Sequence, residues 1–593
     1  MKTTLFFVAM ALVFSNPSRS DEFSLAPRGV CEAAFSNDAL LSLVCKKALA
    51  NKSTFVITDL KTLTKSGAGD FAGHTLWDDA FVAAMKILQV LPAAADGRRH
   101  LQVPKGVYEV TSPSIVPSNV EILGTGTNTT DQIIRNLQGS EVKPSSSSVF
   151  VLGDYDGKAF IKHRFFLTAF SAGNGSINKF IISPATRVAL GIKLGSLVFL
   201  RSEIGFIQYI APVNPGDRPV QHNFRPELGT IDRVVGIRHA SGGNVEIQVK
   251  YGIGDYDPTR RIVISAPGVM IPVPTGSTTN PDTPYTLPDF VDLQIDPRNA
   301  AFNYSDLGLD SVPYHVLENT KLSHVRLEAN AHAFAWGGLF ECELSDLSIR
   351  GVTALSSNGF SHSIADNVSG EYGYRAIELA YFTFGSHVRN SNMRYDSSIH
   401  YDKADNTPSP DVVISEGSRY NEIRDSVFQG EPSSARQTVD VAGVSTGGNN
   451  RFINNQFKNY LVTNRTFAIT PPMDAKPDYD GEITPKDTPA TSLKNCVMFN
   501  DFNPITVPTD TEMDHGASFR VQTFDAKAQV SGNVVLYNNF NDEFHKLYNP
   551  KDAQQQLVPT VMTLQTDKAT NLNSFTPQQR QQKEQSFCGP SLF

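Results

Sequence analysis

The sequence predicts an all-β solenoid, a chain wound into stacked coils of short parallel strands, and three observations predict it. First, a phrase recurs from about residue 320: an apolar residue, then Asn or a small or apolar residue three positions on, then a large apolar residue two further on. It reads Leu322–Val325–Leu327, Leu344–Leu347–Ile349, Ile364–Asn367–Ser369, Val388–Ser391–Met393, Ile423–Ser426–Phe428, Phe452–Asn455–Phe457, Val497–Asn500–Phe502 and Val535–Asn538–Phe540. Second, these segments are short, β-branched and aromatic-rich, and they lack the long 3.6-residue periodicity of an α-solenoid. Third, residues 78–91 carry an amphipathic helical pattern suited to covering the open end that every solenoid has.

The elements follow in chain order. Met1–Lys2, the apolar run Leu5–Phe14 and the small residues Ser18 and Ser20 form the pattern of a secretory signal peptide, residues 1–20. The run is too short to span a bilayer. A soluble, secreted, extracellular protein is therefore expected. Export makes Cys31–Cys45 a local disulfide within the N-terminal segment 21–66, and five cysteines leave an odd thiol. The cap and first coils are assigned to 67–186. There Asp78 and Asp79 open a helix with Phe81, Ala84, Leu88 and Leu91 on one face. Short strands follow at Leu101–Val103, Tyr108–Val110 and Val120–Leu123. Residues 187–275 alternate in hairpin fashion around the turn Gly242-Gly243-Asn244 and read as an inserted antiparallel β-subdomain. The main coils occupy 276–548. The polar tail 549–593, with QQRQQKEQ at 578–585, is expected to be extended or disordered.

Within the coils, first positions of successive phrases are 22, 20, 24, 35, 29, 45 and 38 residues apart. The short steps define the bare coil, and the excess lies in polar inserts. Equivalent positions of stacked coils stand about 4.8 Å apart. Phe428, Phe457, Phe502 and Phe540 should then form an internal stack. Asn367, Asn455, Asn500 and Asn538 should bond the turn backbone of neighbouring coils. An inward Asn367 would leave its glycosylation sequon, one of six in the chain, unused.

Gly67-Ala68-Gly69-Asp70, Asp78-Asp79-Ala80, Val103-Pro104-Lys105-Gly106-Val107-Tyr108 and Pro117-Ser118-Asn119-Val120-Glu121-Ile122-Leu123-Gly124-Thr125-Gly126 resemble the N-terminal signature of the pectate-lyase superfamily. The resemblance covers about sixty residues. It implies a right-handed parallel β-helix of a kind that mostly acts on extracellular or surface polysaccharides, and it speaks to fold more than to reaction.

The chemistry must come from side chains on the exterior. Counted from the first position of each phrase, successive coils bring His332 and Trp336, then Asn358, then Tyr374, Arg375 and Glu378, then His400, Tyr401 and Asp402, then Arg436. Glu378 and Asp402 share one offset, so in register they would stand about one coil spacing apart. Two such carboxylates push their pKa values apart, as glycoside hydrolysis requires. Trp336 would stack on a sugar ring. A lyase acting on uronic acids would instead use Arg375, His387, Arg389 and Lys403 against the substrate carboxylate. His400, Tyr374 or Tyr401 would then move the α-proton, and calcium would enter only with that mechanism. The polygalacturonase motifs Asn-Thr-Asp, Gly-His-Gly and Arg-Ile-Lys are absent. A net charge of −8 argues against nucleic acid as partner. The expectation is a carbohydrate-active enzyme, hydrolase or lyase, whose partner is a polysaccharide. A non-catalytic carbohydrate-binding or surface structural protein on the same scaffold is the alternative.

Overall fold

The computed structural model describes residues 29–126, 130–137, 148–152, 165–166, 169–171, 178–189, 191–202, 206–209, 222–225, 230–252, 262–265, 316–329, 334–336, 338–358, 360–380, 383–399, 412–414, 418–430, 448–461, 467–469, 491–505, 519–523, 529–539, 546–550, 561–564 and 570–589.

The chain is a right-handed parallel β-helix. Strands of successive coils pair in parallel, which requires a crossover in every coil, and such crossovers are right-handed almost without exception. On a first face the inward residues Phe55, Leu101, Ile122, Leu322, Leu344, Ala365, Val388, Ile423, Phe452, Val497 and Val535 lie in one continuous register. On a second face Tyr108, Ile134, Leu327, Ile349, Gly370, Met393, Phe428, Phe457 and Phe502 do the same. A third face is formed by the far ends of the long strands Glu343–Asn358 and Ile364–Ala380, joined by Val412–Ile414. The expected aromatic stack is present: Phe428 and Phe457 have ring centroids 5.1 Å apart, Phe457 and Phe502 4.9 Å apart, with the rings nearly parallel in both pairs. Phe540 lies outside the described residues.

One coil departs from the expected register. The inward residues are Ala365, Val368 and Gly370, not Ile364, Asn367 and Ser369. The shift of one residue exchanges the faces. The cause is a locally small core. A Cβ at Gly370 would stand 2.5 Å from Met393 Sδ and 2.9 Å from Ala354 Cβ, so these neighbours fill the volume that a large residue occupies elsewhere. Asn367 is therefore not a ladder residue. It is exposed at a left-handed corner (φ 55°), and its Nδ2 donates to Asp346 Oδ1 at 2.6 Å.

The other ladder asparagines behave as expected. The N–H of Ser426 donates to Asn455 Oδ1, that of Asn455 to Asn500 Oδ1 and that of Asn500 to Asn538 Oδ1, at 2.9–3.1 Å. Each follows a left-handed corner residue, such as Asn454 or Phe499, where the chain leaves sheet pairing and its amide needs another acceptor. A second ladder at the preceding corner was not anticipated. It links Ser386, Asn421, Asn450, Asn495 and Asn533 by the same amide-to-side-chain bonds.

The N-terminal end is covered by helices. At the N-terminal end the helix Asp78–Val90 buries Phe81, Ala84 and Leu88 against the first coils, backed by the helices Val30–Ala34 and Ala39–Ala50. Cys31–Cys45 is disulfide-bonded, as expected, and Asp78 Oδ1 accepts the Thr111 and Ser112 N–H groups. On the outer side of the first face, against the last coils, residues expected to be extended or disordered form the helix Pro577–Cys588, started by a capping box between Thr576 and Gln579. Its sequence is polar all round, so periodicity gives no sign of it. It is fixed instead by the disulfide Cys496–Cys588, by pairing of Glu584 with Arg451, and by Lys583 over the Tyr537 ring. Cys342 is the free, buried thiol.

The inserted subdomain is a seven-stranded antiparallel sheet whose strands run from Phe165–Phe166 to Ile262–Ser265, beginning ahead of residue 187. Gly242 (φ 69°) and Gly243 (φ 77°) take the left-handed conformations its central hairpin turn needs. Asp232 anchors the sheet. Its buried carboxylate accepts the N–H groups of Arg233, Lys250, Tyr251 and Gly252. Arg233 then pairs with Glu318 and Glu341 on the coils at 3.0 Å, and the Tyr251 ring stacks on His362 at 3.8 Å.

Candidate functional site

Glu378 projects outward from the third face, between the buried Ile377 and Leu379. Its guanidinium partner is Arg375, three residues back on the same strand, and both side chains are about one-fifth exposed. The coil neighbours of Glu378 in register are Ser356 and Val413, not Asp402. The expected in-register pair of carboxylates is thus overturned. Two causes combine. The preceding apolar phrase is shifted by one residue, and the next coil returns to this face only at Val412, so Asp402 belongs to the chain before it. His332, His400, Tyr401, Asp402, Lys403 and Arg436 lie outside the described residues. Trp336 and Tyr374 stand in the strands Phe334–Trp336 and Ile364–Ala380.

His387 and Arg389 do not join Arg375 and Glu378. They lie on the first face, because His387–Arg389 is the first-face strand of its coil. Arg389 Nη2 donates to Asp366 Oδ2 at 2.9 Å. His387 Nδ1 is 3.7 Å from Glu422 Oε1, in a buried charge cluster that Arg424 and Arg451 complete. Burial pushes the Glu422 carboxyl up, but the neighbouring His387 and the two guanidiniums outweigh this and bring it down to about 2. Through Arg451 and Glu584 this cluster holds the C-terminal helix, which makes it structural.

The second face carries an arrangement that the sequence reading missed. Its outward positions place Glu109, Arg135, Glu328, Arg350, Glu371, Arg394, Gln429, Lys458 and Asn503 one above another in nine successive coils. In the first six coils the sign alternates, because a like charge one coil away would repel. Arg135 Nε meets Glu328 at 2.6 Å, and Arg350 and Arg394 each approach Glu371 at 3.5 Å. Burial raises the Glu328 pKa, but hydrogen bonds from Arg135 and Arg326 outweigh it and leave the net shift downward. Beyond Arg394 the acids stop. Gln429, Lys458 and Asn503 offer an ammonium and two amides toward solvent; among the described residues their column holds no acid beyond Arg394, and the outward Asp501 two residues before Asn503 accepts an amide hydrogen from Asn539 at 2.7 Å. Part of the signal was present, since Glu328, Arg350, Arg394, Gln429, Lys458 and Asn503 each directly follow the last apolar position of their phrase.

No protein-family model matches the chain, and no curated protein matches it. Solved structures similar to it include the tailspike of Acinetobacter baumannii bacteriophage AP22 in complex with capsular saccharide. That match has 9% identity and a TM-score of 0.30, covering 88% of this chain and 77% of that one. The tailspike of E. coli bacteriophage HK620 in complex with a pentasaccharide has 9% identity and a TM-score of 0.35, covering 88% and 67%. The A-module of the Azotobacter vinelandii mannuronan C-5 epimerase AlgE4 has 9% identity and a TM-score of 0.28, covering 86% and 100%. The fold assignment stands on the chain's own strand registers, and likeness at this level adds no argument about chemistry.

Proposed function

We propose that this is a secreted protein of the pectate-lyase superfamily that binds a linear polysaccharide along the second face and cleaves it beside Glu378. The observation that carries the reading is the outward column ending in Arg394, Gln429, Lys458 and Asn503. Cationic and amide groups set about 4.8 Å apart offer repeated hydrogen bonds to the hydroxyl and carboxylate oxygens of a polymer laid along the stack. Cleavage rests on the chain order. Residues 400–403 fall between the second-face strand Asn392–Tyr395 and the third-face strand Val412–Ile414, whose Val413 is the coil neighbour of Glu378. Glu378 acts as the proton acceptor, and His400, Tyr401 or Asp402 supplies the second proton-transferring group. Hydrolysis and elimination both fit this set. Two disulfides are consistent with export.

The second reading, binding without cleavage, is favoured by the existing engagement of Glu378 with Arg375. A panel of neutral and uronate-containing polysaccharides separates the readings. New reducing ends with ultraviolet absorbance from an unsaturated product mean a lyase, and reducing ends alone mean a hydrolase. Retained binding with neither signal removes the enzymatic reading. Glu378→Gln should abolish cleavage and leave binding intact. Lys458→Ala should weaken binding several-fold, and unchanged binding in that variant would remove the second face from consideration.

A further inference from the structure

The turn leading into the first-face strand Arg99–Val103 gathers three side chains with metal-ligand chemistry. Asp96 sits in a tight loop closed by Ala94 N–H donating to Arg98 O at 2.7 Å and... Gly97 N–H to Ala94 O at 2.9 Å. Asp96 Oδ1 also accepts the Arg98 N–H at 3.1 Å, which fixes the carboxylate. His100 points outward from the strand, and its register neighbour in the next coil is Glu121. Glu121 Oε2 stands 2.9 Å from His100 Nδ1, while His100 Nε2 stands 3.3 Å from Asp96 Oδ1. One donor atom from each of the three residues lies within 4.8 Å of the other two.

We propose that Asp96 and His100 bind a divalent cation of the Zn2+ class, with Glu121 as the carboxylate that orients the imidazole. The two contacts of the ring differ in kind. The Glu121 contact has the length of a charge-assisted hydrogen bond, about 2.7–2.9 Å, whereas the Asp96 contact is longer. That longer separation matches the edge of a tetrahedron whose N and O ligands stand about 2.0–2.1 Å from a metal, roughly 3.3–3.4 Å. With the ring proton on Nδ1 toward Glu121, the Nε2 lone pair would face Asp96, the usual outer-shell arrangement around a metal-bound histidine. Lys321 approaches only the other Glu121 oxygen, at 3.9 Å, and is itself matched by Glu343 at 3.0 Å. The Asp96 side chain is half exposed. The remaining coordination positions therefore open to water, and the ion offers a docking point for an oxygen ligand from outside.

The test is titration of the chelator-treated, untagged full chain with Zn2+ in a calorimeter, repeated with Co2+ while recording its visible absorption. The expected result is one equivalent lost on going to His100→Gln and to Asp96→Asn, with Glu121→Gln keeping the stoichiometry and weakening affinity 10- to 100-fold. Asp96→Asn lies on an exposed turn, so it reads out the site even if His100→Gln disturbs the coil. Circular dichroism confirms the fold of each variant. Absence of Zn2+ binding by the unaltered chain overturns the proposal, as does the same stoichiometry and affinity in Asp96→Asn.

Discussion

Replacing Glu422 by glutamine should cost about 3 kcal/mol at neutral pH, and the cost should vanish in acid. The carboxylate is 3% exposed, so solvent screens it little. It meets Arg424 Nη1 at 2.8 Å, Arg451 Nε at 3.2 Å and His387 Nδ1 at 3.7 Å. Burial opposes its charge, yet these partners bring it to about 2 from an ordinary value of 4.5. A difference of about 2.5 pH units at about 1.4 kcal/mol per unit gives roughly 3 kcal/mol of stabilisation. The folded pKa lies below the unfolded one. The stabilisation is therefore complete above about pH 4.5 and drains away as pH falls toward 2. Glutamine does not strand the cations, because Arg451 keeps Glu584 and Arg424 keeps Asp425. That places the cost at the lower edge of the range for breaking a buried pair, about 3–5 kcal/mol. Urea unfolding of both proteins, followed by circular dichroism between pH 7 and pH 2, measures it. A gap below about 1 kcal/mol at pH 7, or one that persists unchanged to pH 2, would refute the reasoning.

Three further outcomes are expected. Asn500→Ala removes the acceptor of the Asn455 N–H and the donor to Phe452 O, and should cost about 2–4 kcal/mol in urea unfolding, with under about 1 counting against the ladder. In Gly373→Ala the new Cβ would sit 2.0 Å from the Ile399 carbonyl oxygen. The turn at Asp396–Ile399 must move, so the Asp396 amide, bonded to Tyr372 O at 2.9 Å, should exchange hydrogen faster; unchanged exchange would contradict the packing. Cys588→Ser opens a cross-link spanning 92 residues, which is worth up to about 4–5 kcal/mol. Amides of the helix Pro577–Cys588 should lose protection, and equal protection would mean that its ion pairs suffice.

Legibility followed the type of side chain. Phe428, Phe457 and Phe502 announced their stack because a large inward residue at constant spacing has one packing solution. The coil of Ala365 and Gly370 did not, since its core volume is supplied by Met393 from the next coil. The second ladder was open to reading: Asn421, Asn450, Asn495 and Asn533 each stand two residues before the first apolar position of their phrase. The C-terminal helix was hidden because a polar helix fixed by charge and a disulfide leaves no periodic mark.

By itself the sequence determined the winding, the helical cap over the N-terminal end, the local Cys31–Cys45 link and the antiparallel insert, because each depends on residues close along the chain. Only the tertiary structure decided that Glu378 lies over Val413, that His387 and Arg389 belong to another face, and that charges alternate from Glu109 to Arg394. The physical reason is that stacking partners are separated by inserts of unequal length. Which side chains face each other across a coil is set by where each strand re-enters the sheet, a property of the assembled stack.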